Sequence, residues 1–147
     1  MIERFNVFPE NMYRFGANNK LIYTPVVVVK TGDHATIHIS GRTARLPDGG
    51  VAGKDGDMRV QLRRTCENIK IALESVGATF ADVTRTVTYV TDMKAYFAAI
   101  DERFKYFKDP LPTSTLIGVA CLAMPEMMVE IEVEAIIEPE RLRLPKK

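Results

Sequence analysis

Three glutamates alternate with apolar residues near the carboxyl end of the chain, and carboxylates in such a row can accept protons or activate water. Glu130, Glu132 and Glu134 occupy every second position of the segment 128–137. Side chains two residues apart in a β-strand lie on the same face of the sheet. Since the apolar positions between them must face the core, the glutamates are predicted to share the opposite face. That face is either solvated or covered by another copy of the chain.

The two histidines do not predict a metal site. His34 and His38 are four residues apart in a segment typical of a β-strand. At the usual rise per residue, their Cα atoms lie about 13 Å apart. Because one zinc ion binds nitrogen ligands at about 2 Å, this pair does not hold an ion, and we expect no metal.

Composition limits the class of protein. The chain has 147 residues, of which 46% are hydrophobic and 27% are charged, enough for the core of one domain. The net charge of +1 provides no general attraction for nucleic acid or an anionic membrane. The sequence shows neither a signal peptide nor an apolar run of membrane-spanning length, and Cys66 and Cys121 are too few for a disulfide scaffold. We predict a cytoplasmic protein without nucleic-acid or membrane partners.

Hydrophobic periodicity predicts the element order ββαβαββ. The predicted strands are Val26–Lys30, Ala35–Ser40, Arg85–Thr91, Thr115–Ala120 and Met128–Ile137. The first helix is predicted from its cap at Asp57 to Val76, and Gly77 ends it. The second helix begins after Asp92 and presents one apolar stripe: Tyr96, Phe97, Ile100, Phe104 and Phe107. The fold class is α+β, with a mixed sheet and both helices on one face.

The whole chain, 1–147, is predicted to be a single domain. Its core spans about residues 20–138, preceded by an N-terminal extension over 1–19 and followed by a basic tail over 139–147. The basic residues of the tail predict a disordered end rather than an RNA contact.

The chain resembles the RidA/YjgF family, also called the L-PSP family, over roughly residues 23–138. The resemblance is carried by the order and spacing of several motifs: Ile39-Ser40-Gly41-Arg42, Glu67-Asn68-Ile69, Thr88-Tyr89-Val90-Thr91-Asp92-Met93, Leu111-Pro112-Thr113-Ser114-Thr115 and Val129-Glu130-Ile131-Glu132. It implies a chorismate-mutase-like fold and a homotrimer, in which the sheets form a central barrel and small-molecule clefts lie between subunits. Deaminases of this family hydrolyse reactive enamines and imines without a cofactor.

The resemblance also implies the site residues. In the family's deaminases an arginine after the Leu-Pro turn binds the substrate carboxylate, and a glutamate of the last strand positions the attacking water. This glutamate corresponds to Glu132, or to Glu134 if the register differs by two. The candidate substrate-binding residues are Tyr23, Ser40, Gly41, Arg42, Tyr89, Asp101 and Ser114. Tyr23 and Tyr89 either line the cleft or are packing residues.

The sequence departs from the family pattern at four of its motif positions, one of which is Arg42, where the family more often has a glutamine. Ser114 occupies the position of the carboxylate-binding arginine, and Asp101 and Leu116 occupy positions where an asparagine and a cysteine are usual. A serine offers one neutral hydroxyl instead of a charged fork. Arg42, with Arg45 nearby, is either a relocated anion clamp or an ordinary exposed arginine of a loop, and the exposed loop is favoured.

The predicted function is a cofactor-independent hydrolytic deaminase, a homotrimer acting on a reactive enamine, imine or related small amine, with aminomuconate-type compounds among its candidates. The alternative is a non-catalytic trimer that binds a small ligand or has a regulatory role. A ribonuclease is not predicted, because the sequence provides no basic groove and no excess of positive charge.

Overall fold

One mixed sheet organises the chain in a computed structural model that describes residues 1–18 and 20–145. The strands are β1 (Glu3–Val7), β2 (Gly16–Ala17), β3 (Lys20–Leu21), β4 (Val26–Lys30), β5 (Ala35–Arg42), β6 (Val83–Val90), β7 (Thr113–Gly118) and β8 (Val129–Ile137). The helices are α1 (Met58–Glu74), α2 (Met93–Ala98) and α3 (Asp101–Phe104), and short 3-10 turns span Phe80–Asp82 and Pro139–Arg141.

The six-stranded sheet has the order β1-β4-β5-β8-β6-β7, and β2 and β3 form a separate short hairpin. Its neighbours run antiparallel except β6 and β7, which are parallel. The alternation predicted for β8 is confirmed: its odd-numbered residues from Val129 to Ile137 are buried, while Glu130, Glu132 and Glu134 are half-buried on the other face. Helix α1 packs against β5 and β8, so the core lies between this helix and the apolar face of the sheet.

The first predicted helix is confirmed, with an end two residues earlier than predicted. Asp57 caps it by accepting a hydrogen bond from the Val60 amide at 3.1 Å. The predicted stripe is fully buried at Leu62, Cys66, Ile69 and Leu73. Because its apolar residues lie on one side of the helix, α1 packs with that side against the sheet. Cys66 is therefore a core residue, whereas Cys121 is exposed.

The second predicted helix is broken into α2 and α3, and its continuous stripe was a wrong prediction. The backbone leaves helical geometry at Ala99, with φ −108° and ψ 6°. This break changes the direction of the chain, so residues spaced three or four apart on either side of Ala99 no longer lie on the same helix face. Tyr96 and Phe107 are buried, but Phe97 and Phe104 are exposed. Among the residues described here, no helix combines the length and the apolar character needed to cross a membrane.

The N-terminal extension and part of the C-terminal tail are attached to the fold. The N-terminal extension supplies β1, which pairs with β4 at one edge of the sheet. In the tail, both terminal nitrogens of Arg141 donate to the Asp82 carboxylate at 2.8 and 2.7 Å, and the Arg143 amide donates to the Val76 carbonyl at 3.1 Å. The predicted disorder of the tail is therefore wrong as far as Arg143, and Lys146 and Lys147 lie outside the described residues.

Candidate functional site

A cavity of about 290 Å³ opens where the end of β5 meets the beginning of β8. It brings together four of the residues predicted to bind substrate: Tyr23, Ser40, Gly41 and Arg42. The remaining lining residues are Met12, Tyr13, Phe15, Thr43, Arg45, Asn68, Ala123, Met127 and Glu130. The cavity therefore combines aromatic and sulfur-containing walls with two arginines and one carboxylate.

A β-bulge in β5 directs Arg42 into this cavity. Ile39 pairs with Val133, but Arg42 pairs with Ile131, so β5 has one more residue than β8 over this interval. In regular alternation Arg42 would share a face with His38 and the glutamates. A bulge shifts side chains to the other face, and Arg42 is accordingly only 6% exposed. The interpretation of Arg42 as an exposed loop arginine was wrong.

Neutral groups hold the guanidinium of Arg42. Its Nε donates to the Ser40 carbonyl at 3.0 Å, and its Nη2 donates to the Ser40 hydroxyl at 2.6 Å. Nη2 also donates to the Tyr23 hydroxyl at 3.3 Å, and Nη1 donates to the sulfur of Met12 at 3.0 Å. Three of the predicted binding residues thus form one hydrogen-bonded unit around a buried positive charge.

Asn68 of α1 fixes the segment that follows Arg42. Its Nδ2 donates to the carbonyls of Thr43 and Arg45, both at 2.8 Å. This segment carries Arg45, whose guanidinium carbon lies 4.1 Å from the centre of the Tyr13 ring, within the range of a cation–π interaction. Because Asn68 is itself buried, α1 anchors both arginines through the backbone between them.

Glu130 is the glutamate of β8 that lines the cavity. Its side chain passes over Gly41, where a Cβ atom would come within 2.7 Å of the Glu130 carboxyl carbon. Burial raises the pKa of the Glu130 carboxyl, the positive charge of Arg42 acts in the opposite direction, and the negative charge of Glu132 adds to the increase. Glu130 therefore combines restricted solvation with access to the cavity.

Glu132 and Tyr89 form a separate pair beside the cavity, on the same sheet face. The Tyr89 hydroxyl donates to the Glu132 carboxylate at 2.5 Å. This hydrogen bond, followed by burial, raises the pKa of Tyr89. Neither residue lines the cavity formed by this chain, so the prediction that Glu132 handles water stays a prediction. Glu134 lies farther along β8, 3.4 Å from Nδ1 of His38.

Asp101 and Ser114 lie outside the cavity of their own chain. Asp101 begins α3, is exposed, and accepts a hydrogen bond from Arg59 at 2.6 Å, which lowers the pKa of its carboxyl. Ser114 is exposed on the edge strand β7. Within the described parts of the chain, no three His, Cys, Asp or Glu side chains are close enough together to hold a metal ion.

Sequence reasoning missed the contribution of the N-terminal extension and of Asn68 to the cavity. Met12, Tyr13 and Phe15 are lining residues that precede the segment carrying the resemblance. The available signal was compositional: the stretch Met12-Tyr13-Arg14-Phe15 is aromatic and apolar, and such side chains are unusual in a solvated extension. Glu130 was recognised as part of the row, but the alternation could not distinguish it from Glu132.

Comparisons with known proteins place the chain in a family. The model of the family described as Endoribonuclease L-PSP matches residues 22–137. A RutC family protein from Pyrococcus abyssi is 34% identical over 105 residues, which are 71% of this chain and 79% of that protein. The chain therefore belongs to the L-PSP family, the RidA/YjgF family to which the sequence was found similar.

Solved structures agree with this assignment. The protein YJGH is 28% identical with a TM-score of 0.71, and the match covers 99% of each chain. Rv2704 from Mycobacterium tuberculosis, described as a member of the YjgF/YER057c/UK114 family, is 26% identical with a TM-score of 0.68, covering 92% of this chain and all of that one. The α+β fold with a mixed sheet is thus a fold of this family.

Proposed function

We propose that the protein is a cofactor-independent deaminase that hydrolyses a reactive imine or enamine to a ketone and ammonia. The observation that carries this proposal is the position of Glu130, a half-buried carboxylate with a raised pKa at the wall of a ligand-sized cavity. A carboxylate without a paired cation in such a site is a candidate general base. The resemblance to the RidA/YjgF family, whose deaminases hydrolyse enamines and imines, supports the same reaction class, and the chain belongs to that family.

The proposed reaction needs only proton transfer. In the protonated imine, the Glu130 carboxylate accepts a proton from water as the water oxygen bonds to the imine carbon and the carbon–nitrogen π electrons move to nitrogen. The product is a neutral tetrahedral aminoalcohol with the hydroxyl and the amine on one carbon. The protonated Glu130 then gives its proton to the amine nitrogen. The carbon–nitrogen bond breaks with its electron pair leaving on ammonia, the hydroxyl gives its proton to the Glu130 carboxylate as the carbonyl forms, and Glu130 releases that proton to the departing ammonia.

We propose that the protein acts as a homotrimer. Ile117 and Ile136 are exposed on the sheet face that carries the glutamates, and exposed apolar groups of this kind favour contact with another subunit. Asp101 and Ser114, which lie away from the cavity of their own chain, would then reach a cleft only from a neighbouring subunit. Light scattering after size exclusion tests this: the expected mass is three times the 16.5 kDa of the chain.

Ammonia release from imines generated in situ by an amino-acid oxidase tests the activity. We expect the wild-type protein to accelerate the release, and Glu130→Gln to lower the rate by about 10²- to 10⁴-fold, the usual contribution of a general base. Glu132→Gln and Glu134→Gln are matched controls on the same strand face, with expected losses of less than about tenfold. A large loss only in Glu132→Gln would transfer the role to that residue.

The non-catalytic alternative predicts a different pattern. If the serine at position 114 has abolished imine hydrolysis, the wild type does not accelerate ammonia release, and the Ser114→Arg variant does. That result would contradict the deaminase proposal and favour a protein that binds a small ligand without hydrolysing imines.

A further inference from the structure

Two arginines in the cavity lack an acidic partner. Among residues 1–18 and 20–145, neither Arg42 nor Arg45 lies within 4.0 Å of a carboxylate oxygen. Removing a cation from water is costly unless an opposite charge compensates. Glu130 is the carboxylate among the lining residues, and its raised pKa weakens its ability to balance two guanidinium groups.

Arg42 differs from the other buried arginine in its access to this cavity. Arg103 also pairs only with neutral groups, since it donates to the hydroxyls of Thr88 and Thr86 at 3.1 and 3.0 Å and lies over the Phe107 ring. Arg103 is enclosed by these groups and does not line the cavity, whereas Arg42 does. Arg42 can therefore gain a charged partner from a ligand, and Arg103 cannot.

Arg45 has an unsatisfied donor. Its Nε is buried and has no hydrogen-bond partner, although the rest of the guanidinium lies against the rings of Tyr13 and Phe15, at 4.1 and 5.9 Å from the ring centres. A buried N–H without an acceptor is destabilising. Because Arg45 lines the cavity, a carboxylate bound there would supply the opposite charge that its guanidinium lacks.

The wall beside the two arginines is aromatic, since Arg45 lies over the Tyr13 ring and Arg42 donates to the Tyr23 hydroxyl. The rings of Phe15 and Tyr23 are stacked with their centres 6.0 Å apart, and Tyr13 completes the wall. A volume of about 290 Å³ is near the lower limit of pockets for drug-sized ligands and exceeds the needs of a three-carbon acid. Tyr13 and Phe15 precede the segment 22–137 that the family model matches, so this wall is a feature of the chain's own extension.

We propose that the cavity selects a planar aryl-substituted carboxylate: the carboxylate is bound by Arg42 and Arg45, and the ring lies against Tyr13, Phe15 and Tyr23. This inference rests on the proposed deaminase function for its substrate, an α-imino carboxylate with an aromatic side chain. The enamine tautomer of such a compound is conjugated with its ring and is therefore flat. The arginines bind the negative charge of the ligand carboxylate, and the aromatic side chains pack against the flat ring of the ligand.

Binding of cinnamate, measured by isothermal titration calorimetry, tests the proposal, because cinnamate has the planar aryl carboxylate but no imine to hydrolyse. Cinnamamide removes the charge and acrylate removes the ring. We expect cinnamate to bind at least about tenfold more tightly than either, a difference of about 1.4 kcal/mol. Equal binding of cinnamamide would overturn the role of the arginines, and equal binding of acrylate would overturn that of the aromatic wall.

Arg45→Met is the main variant, since Arg45 is only half-buried and its loss leaves the core intact. Arg64→Met is the matched control: the Nε of Arg64 is also buried without a partner, but Arg64 does not line the cavity. We expect Arg45→Met to weaken cinnamate binding by at least about tenfold and Arg64→Met to leave it unchanged. Equal effects of the two variants would overturn the proposal.

The two proposals fail independently. If cinnamate binds in an Arg45-dependent way but no imine is hydrolysed faster, the ligand class stands and the deaminase proposal falls. If the imine of alanine is hydrolysed in a Glu130-dependent way and cinnamate does not bind, the deaminase stands and the aryl carboxylate is overturned.

Discussion

Glu102 and Glu130 are carboxylates with limited access to water, and their surroundings shift their pKa values in opposite directions. Glu102 of α3 is 2% exposed and lies 3.3 Å from Arg59, 3.0 Å from Arg63 and 3.1 Å from Lys105. Its hydrogen bonds to these cations, that of Arg63 first, hold its pKa at about 2. Glu130 has no cation within 4.0 Å among the described residues, and burial raises its pKa.

The difference shows that the neighbouring cations determine whether a buried or half-buried carboxylate has a lowered or a raised pKa. At Glu102 three cations compensate for desolvation, so the group is locked as an anion that connects α1 to α3. At Glu130 the nearest positive charge, Arg42, is engaged by Ser40, Tyr23 and Met12. A carboxylate left in this state takes up a proton more readily than one fixed by ion pairs.

The largest expected effect is a difference in the free energy of unfolding between variants of Glu102 and of Glu130. Glu102→Gln leaves three cations around a neutral amide, and we expect it to lower the free energy of unfolding by about 2 kcal/mol, discounted for the exposure of its partners. Glu130→Gln should change it by less than about 0.5 kcal/mol, because no ion pair is lost. Urea unfolding of both variants measures this, and equal losses would contradict the comparison.

The pH dependence of stability gives a second test. Because the pKa of Glu102 is lower in the folded protein than its ordinary value of 4.5, its contribution is complete above about pH 4.5 and is lost as the pH falls towards 2. We expect the melting temperature of the wild type to fall in this interval more steeply than that of Glu102→Gln. Parallel curves would show that Glu102 is not the group being protonated.

Gly41→Ala tests the position of Glu130. The added methyl would collide with the Glu130 carboxyl group, which is the end of a flexible side chain and can move away. We therefore expect a fall in ammonia release of about tenfold, as a displaced general base implies, with stability close to that of the wild type. Gly32→Ala is the control, since nothing lies within 4 Å of the Cβ it would add.

The smallest expected effect is a shift in the pH profile of turnover. Glu132 adds to the raised pKa of Glu130 through its negative charge. Glu132→Gln should therefore lower the pKa of Glu130 and move the acidic limb of the rate profile to lower pH. Glu134→Gln does not remove a charge that acts on Glu130, and its profile should match the wild type.

The sequence predicted the core elements because their patterns are regular. The alternation of β8 and the stripe of α1 each place apolar residues on one face over several repeats, and packing preserved both. The predicted second helix failed because the break at Ala99 interrupts the stripe after only a few residues. Local spacing carries no information about such a break when the residue there is an ordinary helix former such as alanine.

The site was predictable only in part, for two physical reasons. The bulge between Ile39 and Arg42 reverses the face of Arg42, and a bulge is set by pairing with β8 rather than by the residues of β5 alone. The choice among Glu130, Glu132 and Glu134 depends on which of them lies against Gly41, which is again a property of strand pairing. Family motifs led to Tyr23, Ser40, Gly41 and Arg42, but they do not extend to Tyr13 and Phe15.

Because Cys66 is buried between α1 and the sheet, its reaction with a thiol reagent can be used to measure how often the core opens. Burial in the core raises the pKa of this thiol to about 12, so a thiol reagent in neutral solution modifies the exposed Cys121 and leaves Cys66 untouched while α1 stays on the sheet. Each modification of Cys66 then records one opening of the helix–sheet core. The rate of that reaction measures the opening of the core in the absence of denaturant.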